Sequence, residues 1–217
     1  MTKRLKIVVS TPTFLPIVGG AELAIHEIYR RLASRHDVTV LTVQPRRRAV
    51  AMYGANDYLS RPYEVREALG QAEARAPDIV GRVLNHTSVP YIVELGRLRR
   101  ERPIDVLNFH YLKPHGGALL CARYVWGIPV VASLVGRTDV VWLLPHRRRP
   151  YSSFVASRAE IALPISKFYL RGGCLNRRVR VIPFGADTAE FSPTRRSEAM
   201  RRDLGVRPED LMMAAVQ

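Results

Sequence analysis

Lysine and cysteine are scarce in this sequence, and no long uninterrupted apolar run is present. The two cysteines, Cys121 and Cys174, lie in no CxxC or metal-ligand spacing, which excludes a disulfide framework and gives no indication of a metal site. The longest apolar stretch, residues 116–135, is broken by Arg123 and by a Gly-Ile-Pro sequence, which excludes a transmembrane span. We therefore expect a protein of the reducing cytoplasm.

Arginine is abundant instead. The 217 residues carry 34 Lys plus Arg against 19 Asp plus Glu, a net charge of +15, and because only four of the cations are lysines, 30 are arginines. The guanidinium group suits phosphate and carboxylate recognition. Triplets at residues 46–48 and 147–149 are compatible with nucleic acid, an anionic membrane surface or a phosphorylated substrate, and equally with solvated loop charge. No RRM, zinc-finger or basic heptad motif accompanies them.

Apolar periodicity predicts an α/β fold. Residues 5–9 and 38–43 are short runs rich in β-branched side chains, and helical spacing of apolar residues covers 21–35 between them. The alternation continues to residue 183, which predicts a Rossmann-like doubly wound parallel sheet. Further strands are predicted at 104–109, 129–135, 161–165, 179–183 and from 211, and further helices at about 63–76, 93–102, 116–126 and 198–204.

Polar residues follow two of the predicted strands. His110 and Tyr111 come after 104–109, and Arg137, Thr138 and Asp139 come after 129–135. Ligands of open parallel sheets bind at the carboxyl ends of the strands, so these residues are candidate site residues. A structural histidine and a salt-bridged loop are the alternatives.

Two glycine-containing turns complete the candidates. Gly19 and Gly20 stand where the first helix begins, and free amides at a helix N-terminus attract phosphate, although a plain turn explains them equally well and no GxGxxG spacing is present. Gly185 and Asp187 follow the predicted strand 179–183, where Asp187 is also a suitable helix cap.

These landmarks occur in an order that resembles the amino-terminal half of the family 4 glycosyltransferases. The resemblance rests on KIVVSTPTFLPIVGGAE, DVLNFHYLKPHGG, GIPVVASLVGRTD, EIALPIS and especially VIPFGADTAEFSP. It implies a retaining enzyme of the two-domain GT-B arrangement. Residues 1–190 would be the acceptor-binding domain, and residues 191–217 a linker and the first strand of a nucleotide-sugar-binding domain that the sequence does not include.

The resemblance also implies roles for the candidates. It places Gly19, Gly20 and Glu22 in a donor-phosphate loop, His110, Tyr111, Arg137, Thr138 and Asp139 in the acceptor pocket, and Gly185 and Asp187 at the interdomain cleft. The catalytic residue stays open, with His110 and Asp139 as candidates. Where the family commonly has His-Gly-x-Asp, this chain has valine at 135 and one extra residue before Asp139.

The implied function is transfer of a sugar, with retention, from a nucleotide sugar to a saccharide, phosphorylated or lipid-linked acceptor in cell-envelope or polysaccharide biosynthesis. The nucleotide sugar would be a co-substrate, with no cofactor and no metal. We expect a cytoplasmic protein that contacts the inner face of the membrane, and no transfer by these 217 residues alone. The alternatives are a non-catalytic basic module that binds nucleic acid or an acidic partner, and an inactive relative kept as a partner subunit.

Overall fold

The structure is a computed structural model, and it describes residues 3–15, 19–42, 61–68, 88–112, 116–136, 139, 150–172, 177–189, 191–207 and 209–212. Within these ranges the strands are β1 (Lys6–Thr11), β2 (Asp37–Thr42), β3 (Glu64–Glu67), β4 (Val106–His110), β5 (Val130–Leu134) and β6 (Ile161–Pro164). The α-helices are α1 (Gly20–Leu32), α2 (Val89–Glu101), α3 (Gly116–Leu120), α4 (Pro150–Arg158) and α5 (Glu198–Asp203).

Shorter helical segments complete the description. A π-helical turn, Cys121–Val125, continues α3, and 3-10 segments cover Lys167–Gly172 and Pro193–Arg195. Gly127 ends the α3 segment in the left-handed region at φ 65°, where the Ile128 amide donates to the Ala122 carbonyl at 2.9 Å. A glycine in this conformation is a common helix C-terminus. Among the helices of the described ranges, none is long and apolar enough to cross a membrane.

The strands form one parallel sheet in the order β3-β2-β1-β4-β5-β6. The chain winds outward from β1 in one direction and then returns to add β4 on the other side of β1. The sheet therefore has its topological switch point between β1 and β4, where ligands of this fold class bind. The predicted α/β, Rossmann-like doubly wound architecture is confirmed.

Each face of the sheet has its own apolar core. Successive strand residues point to opposite faces, so Val8 and Val9 belong to different clusters. Val9 packs with Ile25 and Tyr29 of α1, whereas Val8 belongs to the larger cluster that α2, α3 and α4 cover. Because both faces are covered, the carboxyl and amino edges are where this sheet presents polar groups.

One strand replaces a predicted helix. Residues 64–67 form β3, parallel to β2, so the helix expected at about 63–76 is wrong in the part that the structure describes; residues 69–76 lie outside it. The apolar signal of β3 is weak because three of its four residues are charged and only Val65 is apolar. Ion pairs hold the strand instead: Arg66 contacts Glu101 of α2 at 2.5 Å, and Arg102 contacts Glu64.

The strand predicted at 179–183 is reduced to a single bridge between Val179 and Ala162. Backbone bonds continue past the bridge, from the Arg180 amide to the Ala162 carbonyl at 3.0 Å and from Ile182 to Pro164 at 2.9 Å. Pro164 has no N–H to donate to this segment, so a regular ladder cannot form. Leu211 is not in a strand, and the rest of the strand predicted there lies outside the described residues apart from residue 212.

The chain divides into two compact units, residues 1–183 and 184–217. The first unit contains the whole sheet, and the second contains α5 with the 3-10 segment Pro193–Arg195. The functional division at residue 190 stays a prediction.

Candidate functional site

The candidate site lies at the carboxyl edge of the sheet, where the loops after β4 and β5 are joined and helix α1 begins. The Asp139 carboxylate connects these two loops, because it accepts hydrogen bonds from the Leu112 amide after β4 and from two amides after β5. The Tyr169 hydroxyl donates to the Gly136 carbonyl at 3.1 Å and adds the segment after β6. The edge is therefore one connected structure.

Helix α1 begins at this edge with an exposed backbone. Its N-cap residue is Gly19, in an extended conformation at φ −143° and ψ 167°, and no side chain caps the helix. A side chain at Gly20 would meet nothing within 4 Å. A Cβ at Gly19 would instead overlap the Oε2 atom of Glu22, so the two glycines of the predicted donor-phosphate loop have different surroundings.

Glu22 lies in the first turn of α1 on the buried face of the helix. It is only 9% exposed. Its Oε1 atom accepts a hydrogen bond of 2.5 Å from the Thr13 hydroxyl. In the described part of the chain this carboxylate has no cationic partner. A buried anion therefore occupies the positive end of the helix dipole.

His110 ends β4 and is 3% exposed. Its Nε2 atom lies 3.1 Å from the Tyr29 hydroxyl of α1, and the Tyr29 ring packs edge-on against the imidazole. Asn108 donates to the same Tyr29 oxygen at 2.6 Å and accepts from the Ser133 hydroxyl at 2.9 Å. The four side chains form a largely buried network that fixes α1 against β4 and β5.

The protonation state of His110 follows from this burial. Desolvation lowers its pKa from 6.5 to about 3, so the ring is neutral at neutral pH. Because the Tyr29 oxygen already accepts from Asn108, its proton is best placed toward Nε2, which leaves the imidazole proton on Nδ1. Nδ1 is buried and has no partner among the described residues. At neutral pH the His110 ring is therefore neutral, and its Nε2 atom already accepts from Tyr29. The imidazole is thus better suited to holding other side chains in position than to transferring a proton.

Tyr111 adopts a left-handed backbone conformation at φ 71°, which is uncommon for a residue other than glycine. Its amide donates to the Ser133 carbonyl at 3.2 Å, so β4 and β5 stay joined past the end of β4. Burial raises the pKa of the phenol, and the negative charges of Glu22 and Asp139 raise it further. The Tyr111 hydroxyl therefore remains protonated and is available as a hydrogen-bond donor.

Asp139 is 1% exposed. Its Oδ1 accepts from the Leu112 amide at 2.9 Å, and its Oδ2 accepts from Val135 at 3.1 Å and Gly136 at 3.2 Å. Burial raises the pKa of this carboxyl to about 6, and the three amide bonds offset part of that effect. With both oxygens bound to backbone, Asp139 holds the loops in place.

The remaining predicted residues are Arg137, Thr138, Gly185 and Asp187. Arg137 and Thr138 lie outside the described residues. Gly185 and Asp187 belong to the unit of residues 184–217, where the Asp187 carboxylate accepts from the Ala189 amide at 3.0 Å in a local turn. No group of three or more His, Cys, Asp or Glu side chains in the described ranges is placed to hold a metal ion.

Sequence reasoning missed five polar residues of this edge: Thr13, Tyr29, Asn108, Ser133 and Tyr169. A signal existed for two of them. Asn108 lies two residues before His110 on the same strand, so both side chains point to one face. Tyr29 follows Glu22 by seven residues, which places both on one face of α1.

Comparison with solved structures shows the same fold in GT-B glycosyltransferases. The sucrose-phosphate synthase of Thermosynechococcus elongatus is 13% identical, with a TM-score of 0.67 over 95% of this chain and 54% of that one. Anabaena HepE in complex with UDP-glucose is 20% identical, with a TM-score of 0.57 over 93% and 50%. Phytolacca americana UGT2, complexed with UDP-2fluoro-glucose and pterostilbene, is 16% identical, with a TM-score of 0.55 over 87% and 56%.

The chain spans about half the length of these structures. Comparison with curated protein sequences gives no match. A family match covers most of the chain: residues 18–190, which include every described residue of the carboxyl-edge cluster except Thr13, match glycosyltransferase family 4. The chain therefore belongs to glycosyltransferase family 4.

Proposed function

We propose that the protein transfers a sugar, with retention, from a nucleotide-sugar donor to a saccharide, phosphorylated or lipid-linked acceptor, and that residues 1–190 bind the acceptor. The observation that carries this proposal is that Asp139 joins the loops after β4 and β5 at the carboxyl edge, beside the β1/β4 switch point. Family membership and the GT-B fold support it. Cell-envelope or polysaccharide biosynthesis is the proposed pathway.

The reaction makes two demands on a protein. It must stabilise a departing nucleoside diphosphate next to an oxocarbenium-like sugar, and it must hold the acceptor hydroxyl close to the anomeric carbon. The described carboxyl edge is suited to the second demand, because it offers the neutral phenol of Tyr111 on a loop that Asp139 holds in place and the carboxylate of Glu22 in the first turn of α1. We propose that a second domain supplies the cations that bind the diphosphate.

His110 enters this proposal as a positioning residue. Its imidazole holds Tyr29 of α1 against β4, and its low pKa makes it unsuitable for carrying a proton at neutral pH. Val135, at the position where the family commonly has histidine, is buried, and its amide donates to Asp139. The chain therefore offers no ionisable side chain at residue 135, and the catalytic group stays unassigned.

A cytoplasmic location at an anionic membrane surface is part of the proposal, and it rests on the net charge of +15. The arginine triplets at 46–48 and 147–149 lie outside the described residues. The absence of a cofactor, with the nucleotide sugar as co-substrate, likewise stays a prediction.

The division of labour can be tested with the 217-residue chain itself. We expect saccharides to bind, as measured by saturation-transfer NMR, and UDP-, GDP- and ADP-linked sugars to remain unconsumed, as measured by chromatography. Turnover of any donor would contradict the assignment of donor chemistry to a second domain. Failure to bind any saccharide, together with salt-dependent binding of random DNA, would favour the nucleic-acid module.

A further inference from the structure

Within the described residues Glu22 has no counter-ion, unlike Glu27 on the same helix and Glu160, which follows α4. Glu27, five residues further along α1, contacts Arg30 and Arg31, and Glu160 contacts Arg123. Glu22 is more deeply buried than either, yet in the described ranges it has only the Thr13 hydroxyl as a partner. A buried carboxylate with no cation is costly unless hydrogen bonds or dipoles stabilise its charge.

The helix end stabilises part of this charge but leaves one oxygen unused. The uncapped first turn of α1 places amide dipoles near the carboxylate. Thr13 occupies Oε1, and Oε2, which lies against Gly19, has no hydrogen-bond partner among the described residues. An ordinary capping box would direct this oxygen to the N-cap amide. Here no such bond from Gly19 is formed in the described part of the chain.

The geometry points to Glu22 as a positioning residue that binds a hydroxyl group of the acceptor through Oε2. This inference rests on the proposed function. It assigns Glu22 to the acceptor, whereas the prediction for the same loop assigned it to the donor phosphate. An ionised carboxylate already occupies the place where an anion would be drawn to the helix, so a phosphate there would meet a like charge. A neutral sugar hydroxyl meets no such repulsion.

Tyr111 adds the complementary half of a hydroxyl site. A sugar hydroxyl both donates and accepts one hydrogen bond readily. Glu22 Oε2 is an acceptor only, whereas the phenol of Tyr111, which follows β4 beside β1 at the same edge of the sheet, is able to donate. The left-handed backbone of Tyr111 also indicates that the fold maintains an unfavourable conformation at this point.

Gly19 gives the inference a structural control. Its extended backbone is allowed for alanine, so Gly19→Ala introduces no backbone strain, but the new methyl group would occupy the position of Oε2 and displace the carboxylate. Gly20→Ala adds the same methyl group one residue later, where nothing lies within 4 Å. We therefore expect Gly20→Ala to affect saccharide binding less than Gly19→Ala does.

The experiment measures binding of methyl α-glucoside, methyl α-mannoside and N-acetylglucosamine to the 217-residue chain by NMR titration, with inorganic phosphate as the anionic probe. For the saccharides that bind, Glu22→Gln and Gly19→Ala should each raise Kd about tenfold, the usual size of a lost hydrogen bond to a charged group. Glu22→Gln should strengthen phosphate binding. The matched variant Glu27→Gln, on the same helix but exposed and ion-paired, should leave saccharide Kd unchanged.

The outcomes separate the inference from the proposed function. Saccharide binding that survives unchanged in both Glu22→Gln and Gly19→Ala overturns the inference alone, as does phosphate that displaces the saccharide from the unmodified chain. If the unmodified chain binds none of the saccharides, the acceptor-binding proposal fails and the inference fails with it. Thermal unfolding of each variant identifies any loss of folding. Where a variant does not fold, Thr13→Val provides a second test, because it removes the hydroxyl that holds Oε1 without altering charge. Saccharide binding should weaken in Thr13→Val as in Glu22→Gln.

Discussion

Acidic side chains have different partners at the amino and carboxyl edges of the sheet. At the amino edge, Asp105 accepts from the Lys6 amide at 2.8 Å and from the Lys3 ammonium at 3.1 Å, and Asp37 contacts Arg4 at 2.8 Å. At the carboxyl edge, Glu22 and Asp139 are buried and have no cation among the described residues. Cationic side chains contact both acids at the amino edge, whereas only hydroxyl and backbone groups bind the acids of the carboxyl edge among the described residues.

The pKa shifts follow the same division. The Lys6 amide and the Lys3 ammonium lower the pKa of Asp105, whereas burial raises that of Asp139 to about 6. A site that holds acids away from cations keeps them available to neutral ligands and sensitive to their surroundings. The excess arginine of this chain therefore does not act on the acids of the carboxyl edge in the described structure.

The largest expected effect is on Asp139. Asp139→Ala removes the acceptor of three backbone amides in two loops, and unpaired buried donors are costly, so we expect the free energy of unfolding to fall by about 3 kcal/mol or more. Asp105→Ala should lower the free energy of unfolding clearly less, because water can replace the carboxylate as the partner of the Lys3 ammonium and the Lys6 amide. Urea denaturation of both variants at neutral pH measures the difference, and equal losses would remove the distinction between the edges.

Some of this edge was predictable from the sequence. Five strands, β1, β2, β4, β5 and β6, lie within two residues of their predicted limits, because each is a short run whose apolar signal is local. Their alternation with helices also fixed the parallel topology. Because His110, Tyr111 and Asp139 come directly after predicted parallel strands, that topology places all three at the carboxyl edge of the sheet.

The partners of these residues depend on contacts that no local pattern contains. The hydroxyl that holds His110 comes from Tyr29, which is 81 residues earlier, and the carboxylate of Asp139 binds the Leu112 amide across 27 residues. β3 was missed for a related reason, since its pairing with β2 and its ion pairs to α2 outweigh a weak local preference. Sequence predicted which residues meet at this edge but not which of them are already bound.

An effect of intermediate size is expected in the pH dependence of stability. The pKa of Asp139 is raised from 3.8 to about 6, so its contribution to stability is complete below the lower value and is lost as pH rises through the upper one. The pKa of His110 is lowered from 6.5 to about 3, so its contribution is complete above the upper value and is lost as pH falls. Between about pH 4 and 6 the two contributions oppose each other.

Replacing either Asp139 or His110 should therefore expose the pH dependence that the other residue causes. In Asp139→Asn the free energy of unfolding should rise more steeply with pH between about pH 4 and 6. In His110→Asn it should stay level or fall over the same range. In each variant the change across this range should differ from that of the unmodified chain by about 2 to 3 kcal/mol. Urea denaturation at intervals of one pH unit measures both slopes. Asp105→Asn is the matched control, because its lowered pKa moves its titration below the window. Parallel curves for all three variants would show that burial does not control these groups.

The smallest expected effect belongs to the amino edge. Arg4 and Asp37 form an ion pair of 2.8 Å between side chains that are 61% and 47% exposed. Exposed pairs gain little because solvent screens them and two long side chains lose freedom, so Arg4→Ala should lower the free energy of unfolding by no more than ~0.5 kcal/mol. That loss should disappear in about 1 M NaCl, where screening acts within a few ångströms. The loss caused by Asp139→Ala should persist in the same salt, because buried amides rather than a counter-ion hold that carboxylate. A salt-resistant loss at Arg4 as large as the one at Asp139 would mean that the amino edge is stabilised in the same way as the site.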